Sequence, residues 1–441
     1  MPMNRRQLLQ SLSCGFGFLA LKNLVAADSV VSTNPLAARQ PMFPARAKRV
    51  IFLYMQGAPS QYETFDYNPD LGATSGKSRN LMAPAFEFTK SGSSGLPISN
   101  IFPHLQKCAD DLCLLNGMST DTPAHPTATI ELHTGSATFV RPSMGSWVVY
   151  GLGTENQDLP GFITVNPAAQ GGAQNFGSAF LPASYQGTPY LTRAGRLPNI
   201  ANPEMQSPAQ RKQIDLIQSM NGDYLHEAKA DAELEGVIES YEMAFRMQTA
   251  APGILDIRGE SEATQSAYGL NDAVTRDFGT QCLLARRLAE SGVRFIEITN
   301  NGWDHHNNLR QRMQQNARQI DQPIAALIAD LKQRDMLKDT LLLWGGEFGR
   351  TTAGQGNDGR NHNSRGYTMW MAGGGVKGGF RYGATDPVSG AAIDGKMHLH
   401  DLHATVLHLL GLDHTKLTYP YGGRNFRLTE VYGNVVKDIL A

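Results

Sequence analysis

A carboxylate and two imidazoles stand together in the stretch GWDHH at positions 302–306. Asp304 and His306 are two positions apart, so in an extended or tightly turned loop both side chains can bind one divalent cation. The stretch follows a predicted buried strand, Arg294 to Ile298, and α/β enzymes bind ligands at the carboxyl ends of such strands. Two protein ligands are too few to hold a catalytic metal. The pattern therefore predicts further ligands at other strand ends.

A predicted helix start carries the next candidate, His125, which precedes Pro126. His133 lies eight residues later, two turns along the same helix face, and Glu131 could reach a neighbouring site. A single histidine on a helix is usually structural. Two on one face of an otherwise apolar helix make a functional role for His125 as well supported as a structural one.

A Gly-rich loop, GGEFGR at 345–350, follows another predicted strand, Thr340 to Trp344. Glu347 in this loop can bind a metal or act as a general base, while Arg350 can hold an anion. The alternative is that the two side chains only neutralise each other as an ion pair.

Two later histidines complete the candidate set. His362 follows the Gly- and Asn-rich segment 351–358, which is typical of a mobile, exposed loop, so a core role for this imidazole is not expected. In the group His398, His400, Asp401 and His403, the side chains cannot all reach one centre, and Asp401 fits the N-cap of the helix that follows. His398 is the candidate ligand because it precedes that helix.

Two other features favour ordinary structure over binding. The stretch GGGVKGG at 373–379 resembles a phosphate cradle, but it lacks the spacing of the common nucleotide motifs, so a tight turn between strands is the better interpretation. Trp303 could form the floor of a sugar site, although a Trp beside a strand end is more often packed.

The elements that must position these residues alternate between strands and helices. Continuous apolar runs at 50–55, 340–344 and 367–372 predict buried strands, and helical spacing marks 275–291 and a helix ending near 334. This alternation predicts an α/β fold with a mostly parallel central sheet and helices on both faces. The polar, helical region at about 205–250 is predicted to be a helical insertion into a single domain, 48–441, that follows a linker at 28–47.

Charge and the first residues bear on location and partners. The net charge is −1 over 441 residues, with no block of Lys or Arg beyond the start, which argues against nucleic-acid or membrane-surface binding and favours a small or locally charged ligand. Arg5 and Arg6, the apolar run 12–21 and the small residues before Asp28 predict a twin-arginine signal peptide at 1–27. The alternative is a buried helix or a membrane anchor, but the run is shorter than the roughly 20 residues that span a bilayer. We expect a periplasmic or extracellular protein with no transmembrane segment in the mature chain.

Three cysteines remain after the predicted signal. Cys108 and Cys113 could form a disulfide in an oxidising compartment or equally be reduced core residues. Cys282 lies on the apolar side of a predicted helix and is expected to be buried.

The chain also resembles a known family, the bacterial exported proteins called domain of unknown function 1501, which is related to the alkaline phosphatase and sulfatase superfamily. The resemblance rests on segments that occur in order: MQGAPS at 55–60, LHTG at 132–135, YEMAFRMQ at 241–248, ARRL at 285–288, GWD at 302–304, GGEFGR at 345–350 and DLHAT at 401–405. It implies an alkaline-phosphatase-like three-layer sandwich with a metal site at the carboxyl ends of the strands. In the superfamily, two metal ions polarise a phosphate or sulfate ester that a Ser, Thr or modified Cys attacks.

Residue by residue, the resemblance makes Asp304 and His306 similar to the Asp and His of one metal. Glu347 and His362 occupy the region of the second Asp and His, and His398 precedes the last helix. The chain departs from the superfamily in three places: Gln56 replaces an Asp after the first strand, His125 stands in place of the nucleophile with Thr127 and Thr129 nearby, and Asn361 replaces a frequent Asp. With these carboxylates missing, one metal is better supported than two.

The leading hypothesis is therefore a metal-dependent hydrolase of sulfate or phosphate esters, with a small-molecule or glycan ester as substrate. Its divalent ion, zinc by preference and calcium or manganese otherwise, would be held by Asp304, His306, His362 and His398. Glu347 would be the base, and Arg350 or His125 would stabilise the developing charge.

Two alternatives stay open. One is a non-catalytic periplasmic binding or assembly protein on a degenerate sulfatase-like fold, and the other is a protein in which no metal binds and the histidines are structural. The sequence identifies no protein partner.

Overall fold

A nine-stranded sheet forms the centre of the fold in the part of the chain that the structure describes. This structure is a computed structural model, and it describes residues 34–74, 80–194, 207–228 and 232–441. The predicted twin-arginine signal at 1–27 lies outside the described residues.

The strands and helices have the following bounds. The strands are β1 Arg49–Gln56, β2 Phe88–Ser91, β3 Leu96–Ser99, β4 Leu112–Ser119, β5 Phe162–Val165, β6 Thr188–Tyr190, β7 Phe295–Asn301, β8 Thr340–Gly345, β9 Gly349–Gly354, β10 Arg360–Asn363, β11 Tyr367–Ala372, β12 Phe380–Tyr382, β13 Ala384–Thr385, β14 Ala392–Asp394, β15 Met397–His398, β16 Tyr419–Tyr421 and β17 Arg424–Phe426. The helices are α1 Gln61–Thr64, α2 Pro69–Thr74, α3 His125–Thr134, α4 Met144–Leu152, α5 Ser207–Ala228, α6 Ala232–Leu255, α7 Glu262–Ala267, α8 Arg276–Glu290, α9 Leu309–Gln333 and α10 Leu399–Leu409.

The strand order in the central sheet is β12-β4-β11-β8-β1-β7-β5-β6, and β15 pairs with β4 beside this path. Every pairing in the sheet is parallel except those of β11, which runs antiparallel to both β4 and β8. Strands β8 and β11 are buried along their whole length. Strands with both faces covered read as continuous apolar runs, which is why the sequence revealed them. The predicted α/β fold with a mostly parallel sheet surrounded by helices is confirmed.

The predicted helical region near 205–250 forms two consecutive helices, α5 and α6. Arg211 of α5 donates to the Glu242 carboxylate of α6 at 2.9 and 2.6 Å and so ties the two helices together. No described helix has both the length and the apolar character needed to cross a membrane.

Residues 34–47, part of the predicted linker, run along the surface of the domain. Leu36 is buried, the Arg39 N–H donates to the Leu152 carbonyl at 2.8 Å, and the Met42 N–H donates to the Gly411 carbonyl at 2.9 Å. This stretch is thus fastened to two separate parts of the fold.

Two local predictions are wrong. The last helix begins at Leu399 with His398 at its N-cap, so Asp401 is not the cap but the third helical residue. Its Oδ2 accepts from the His398 N–H at 2.9 Å in a capping box, a bond available only from that position. The segment 351–358 is not wholly a loop, because its first part continues β9, which pairs with β10 despite its glycines.

Three alternatives remained open for the cysteine pair, for Trp303 and for the stretch 373–379. Cys108 and Cys113 are free thiols, and Cys113 is buried in β4, so the disulfide is not formed. Trp303 is fully buried and donates its indole N–H to Asn300 Oδ1 at 2.8 Å, which makes it a packing residue. The stretch 373–379 connects β11 to β12 as a turn.

Candidate metal centre

The candidate site lies where the loops after β1, β7 and β8 meet. These three strands are parallel neighbours, so their carboxyl ends share one edge of the sheet. Gly57, directly after β1, has φ 111°, and a Cβ there would lie 2.7 Å from the Asp304 N atom. Only glycine allows the two loops to approach this closely, and the approach brings Asp304 to the centre of the site.

One carboxylate oxygen is the hub of the site. Asp304 Oδ1 lies 2.9 Å from His306 Nε2, 3.3 Å from His125 Nε2 and 3.4 Å from His362 Nε2, and it accepts from Arg350 Nη2 at 2.7 Å. His306 Nε2 and His362 Nε2 are 2.9 Å apart. The structure thus brings together five of the seven predicted site residues around one oxygen atom.

The other ring nitrogen of each imidazole faces an acceptor. The pairs are His125 Nδ1 with Glu347 Oε1 at 2.5 Å, His362 Nδ1 with the Pro123 carbonyl at 2.7 Å, and His306 Nδ1 with Gln355 Oε1 at 2.6 Å. An acceptor at Nδ1 requires the proton of a neutral imidazole to sit there. Each Nε2 atom then presents a lone pair to the centre.

Three lone pairs and a carboxylate oxygen facing one another repel unless a proton on one imidazole or a metal ion lies among them. His125 Nε2 is buried and has no hydrogen-bond partner among the described residues. His125, Asp304 and His362 each offer a ligand atom within 4.8 Å of the others, and His306 joins them through its contacts to Asp304 and His362. Imidazole nitrogen with one carboxylate oxygen is a ligand set that suits zinc and also accommodates manganese, and the outward N–H contacts are typical of bound metal ligands. The residues present therefore fit a divalent metal.

The electrostatics of the group follow from the same contacts. Burial raises the pKa of the Asp304 carboxyl, but its contacts with His125, His362 and Arg350 outweigh it and hold this pKa well below its usual range. Burial lowers the pKa of His125, and its contacts with Asp304 and Glu347 more than reverse this and raise it to about 9. The pocket thus strongly favours positive charge beside Asp304.

Glu347 is fully buried and its oxygens are already occupied. Besides His125, the carboxylate accepts from the Tyr54 hydroxyl at 3.0 Å and from the Gly57 N–H at 3.1 Å. Its geometry is that of a residue that orients His125 through Nδ1.

Arg350 is equally buried. It donates to the carbonyls of Gly57 at 2.6 Å and Ala58 at 2.9 Å as well as to Asp304, and burial lowers its pKa. The guanidinium therefore fastens Asp304 to the loop after β1.

The remaining predicted residues lie elsewhere. His398 Nε2 is 3.2 Å from Asp121 Oδ1 and 3.8 Å from Glu131 Oε1, and it takes no part in the group around Asp304. His133, the helix partner of His125, is buried against Glu297 at 3.2 Å. Of the four predicted ligands, His398 is thus separated from Asp304, His306 and His362.

Several residues that shape the site escaped the sequence analysis. Tyr54 lies in an apolar run, Gln355 in a polar segment, and Pro123 contributes only its carbonyl, so none carries a signal in the sequence. Asp121 does carry one, because an acidic residue two positions after a strand end is a candidate ligand.

Solvent reaches the centre from one side. The side chains of Asp304, His306 and His362 are 42%, 30% and 22% exposed, whereas His125 and Glu347 behind them are buried. A ligand would approach across the first three residues.

Comparisons with known proteins add the following. A family model described as "Protein of unknown function (DUF1501)" matches residues 47–440. No curated protein matches the chain. Among solved structures, the lipoteichoic acid synthase LtaP from Listeria monocytogenes is similar at 11% identity, with 91% of this chain and 80% of that chain covered and a TM-score of 0.37.

Two further solved structures are also similar to this chain at low sequence identity. A protein in the alkaline phosphatase superfamily from Vibrio parahaemolyticus shares 10% identity over 89% of this chain and 74% of its own, with a TM-score of 0.34. The PsFucS1 sulfatase from Pseudoalteromonas sp. shares 15% identity over 90% of this chain and 70% of its own, with a TM-score of 0.33.

Proposed function

For this chain, which belongs to the DUF1501 family, we propose a function from the chemistry of its own site. The protein is a metal-dependent hydrolase of sulfate or phosphate esters. The observation that carries the proposal is the convergence of three imidazole Nε2 atoms on Asp304 Oδ1. Small-molecule or glycan esters are the proposed substrate class, and carbohydrate esters are favoured among them. The charge balance argues against nucleic acid.

Asp304, His125, His306 and His362 would hold one divalent ion. Imidazole-rich coordination favours zinc, with manganese next, whereas calcium prefers oxygen ligands. When bound, the ion supplies Lewis acidity toward the phosphoryl or sulfuryl oxygens of an ester and activates water.

The protein's own groups have separate roles in this proposal. Glu347 is a positioning residue that holds the proton on His125 Nδ1, and Arg350 holds Asp304 in place. With its imidazoles neutral, as metal ligands must be, the site carries one net negative charge from two carboxylates and one guanidinium. A single dication reverses that sign, so the loaded site attracts an anionic ester, which supports a count of one metal here.

The first experiment measures bound metal by elemental analysis of the protein after dialysis against zinc, manganese or calcium. We expect Asp304→Asn to bind one ion per chain fewer than the native chain, or to bind that ion at least tenfold more weakly. Asp394→Asn is the matched control, because it makes the same chemical change at an exposed residue of β14. Equal metal content in all three proteins would show that Asp304 is not a ligand.

The second experiment presents the metal-loaded protein with aryl sulfates, aryl phosphates, phosphodiesters and sulfated oligosaccharides. We expect cleavage of at least one class and its loss in Asp304→Asn. A metal-replete protein that cleaves none of them contradicts the hydrolase.

One observation favours the second candidate function, a non-catalytic binding or assembly protein. The neutral Gln56 ends β1, and the buried Thr129 hydroxyl is within 2.9 Å of the Tyr54 hydroxyl, so it is not free to act as a nucleophile. Tight binding of a sulfated glycan by the native chain, unchanged in Asp304→Asn and without turnover, would support this candidate.

Export by the twin-arginine pathway to the periplasm or outside the cell is part of the proposal. It rests on Arg5, Arg6 and the apolar run that follows. Replacing both arginines by lysine should retain the chain in the cytoplasm. Unchanged export of that variant would rule out this pathway.

A further inference from the structure

A second group of ligand-type side chains lies beyond the carboxyl end of β4. Asp121, Glu131 and His398 come from the loop after β4, from α3 and from the N-cap of α10, and they place one ligand atom each within 4.8 Å of the others. His398 Nε2 is 3.2 Å from Asp121 Oδ1 and 3.8 Å from Glu131 Oε1. Three separate elements thus converge on a point that the site around Asp304 does not use.

A chain of contacts indicates where the proton of His398 lies. His400 Nε2 is 3.0 Å from the Gly135 carbonyl, which can only accept, so this nitrogen carries the proton of a neutral His400. His400 Nδ1 is then a lone pair, and it lies 2.9 Å from His398 Nδ1. A hydrogen bond across that distance requires the proton on His398 Nδ1. His398 Nε2 is left as a lone pair directed at two carboxylates.

A competing contact would reverse this assignment. The His400 backbone N–H lies 3.3 Å from His398 Nδ1, and if it donates there, the proton of a neutral His398 moves to Nε2 and bonds the carboxylates without any ion. The backbone contact also belongs to the capping box of α10, so both tautomers of His398 are accommodated, and a cation at Nε2 selects the one with the proton on Nδ1. The two tautomers can be distinguished by measurement.

The charges of Asp121 and Glu131 also favour a bound cation. Glu131 is 1% exposed, and among the described residues neither it nor Asp121 has a Lys or Arg partner within ion-pair distance. Two carboxylates beside one neutral imidazole lack a compensating cation.

We propose that Asp121, Glu131 and His398 form a second divalent-cation site, separate from the one at Asp304 and independent of the hydrolase assignment. Two carboxylate oxygens and one imidazole nitrogen suit zinc or manganese. The ion reaches the site from a cleft of about 560 Å³ that Asp121, His398, His400 and Tyr432 help to line.

The site has a structural role in the loop between β4 and α3. Glu131 accepts from the Thr120 hydroxyl at 2.7 Å and from the Asp121 N–H at 3.3 Å, so a cation on Glu131 and Asp121 closes this loop against α10. The same loop leads into His125.

Equilibrium dialysis of the full chain with Zn²⁺ tests the proposal by counting sites. The native protein should bind two ions, and Asp121→Asn should lose one of them or bind it at least tenfold more weakly. Asp121 is mostly exposed, so this variant is expected to fold, and Asp394→Asn is again the control. Asp304→Asn should lose the other ion, which separates failure at one site from failure at the other. Unchanged zinc binding in Asp121→Asn overturns the proposal.

A second measurement depends on neither stoichiometry nor activity. In ¹⁵N-histidine-labelled protein, the His398 signals, assigned with His398→Gln, should show the proton on Nδ1 and a shift of Nε2 when Zn²⁺ is added. A proton that stays on Nε2 in the presence of Zn²⁺ also overturns the proposal.

Discussion

At the scale of single residues, the orientation of the three imidazoles around Asp304 depends on their Nδ1 protons, which point away from the centre. The three imidazoles meet three different acceptors at Nδ1: a carboxylate, a backbone carbonyl and a side-chain amide. Only the first of these acceptors is charged, so Glu347 exerts the strongest hold on its imidazole.

Replacing Glu347 by Gln tests that hold. With its oxygen in the Oε2 position the amide can still accept from Tyr54 and Gly57, so the fold should survive, but its NH₂ group then faces His125 Nδ1 and no longer fixes the proton there. We expect zinc affinity at the Asp304 centre to fall by about 10- to 100-fold, as measured by competition with a chelating dye. Glu87→Gln, at an exposed position, is the control, and equal affinities in the two variants would contradict the role.

The residue types were largely predictable at this scale, but their grouping was not. Strand ends identified Asp304 and Glu347, and polar loops identified His306 and His362, because chemistry-bearing side chains are conspicuous there. The sequence could not separate His398 from them, because its position next to Asp121 depends on the pairing of β15 with β4.

At the scale of elements, the hairpin of β9 and β10 supports the loop that carries His306. Gly359 lies where the hairpin comes closest to this loop, and a Cβ at this position would lie 1.9 Å from the His306 carbonyl oxygen. A backbone atom cannot rotate away as a side chain can, so the loop itself would have to move.

Gly359→Ala should therefore displace His306 and weaken zinc binding at least tenfold with little change in circular dichroism. Gly354→Ala in β9 is the matched control, because its Cβ would first meet the Met82 side chain at 3.5 Å. Similar zinc affinities in the two variants would show that the loop yields without cost to the site.

The elements themselves were predictable in proportion to their burial. The apolar runs of β1, β8 and β11 identified these strands, while β9 and β10 are polar and Gly-rich and were interpreted in part as a mobile loop. His362 pairs with Arg350 across that hairpin, so a strand holds an imidazole for which the sequence predicted only a preceding loop.

At the scale of the whole molecule, the order of the strands cannot be derived from the sequence. In the sheet β4 lies between β11 and β12, although both of these strands are far from β4 along the chain. Local sequence patterns do not specify such long-range neighbours. One acidic residue buried between distant segments shows how this packing affects stability. Asp66 is fully buried and contacts Arg381 at 3.0 Å and the Thr385 hydroxyl at 2.6 Å.

Burial raises the pKa of Asp66 from 3.8 to about 6, although Thr385 and Arg381 lower it in part. Between these two values the folded chain binds more protons than the unfolded chain, so stability falls as pH rises from about 4 to about 6. Relative to Asp66→Asn, the native chain should lose up to about 3 kcal/mol of unfolding free energy across that window.

Urea unfolding in the presence of a chelator, at several pH values, measures this difference without a contribution from bound metal. Asp394→Asn, the exposed control, should follow the native chain throughout. A difference between the native chain and Asp66→Asn that stays constant from pH 4 to 6 would contradict the prediction.

The loop between β4 and α3 belongs to both groups of ligands. It carries the Asp121 carboxylate at one end and, at the other, the Pro123 carbonyl that orients His362, before leading into His125. If an ion at one group orders this loop for the other group, each ion must raise the affinity for the other by the same factor. Zinc saturation would then be steeper than for independent sites, and the protein would pass from empty to fully loaded over a narrow range of metal concentration.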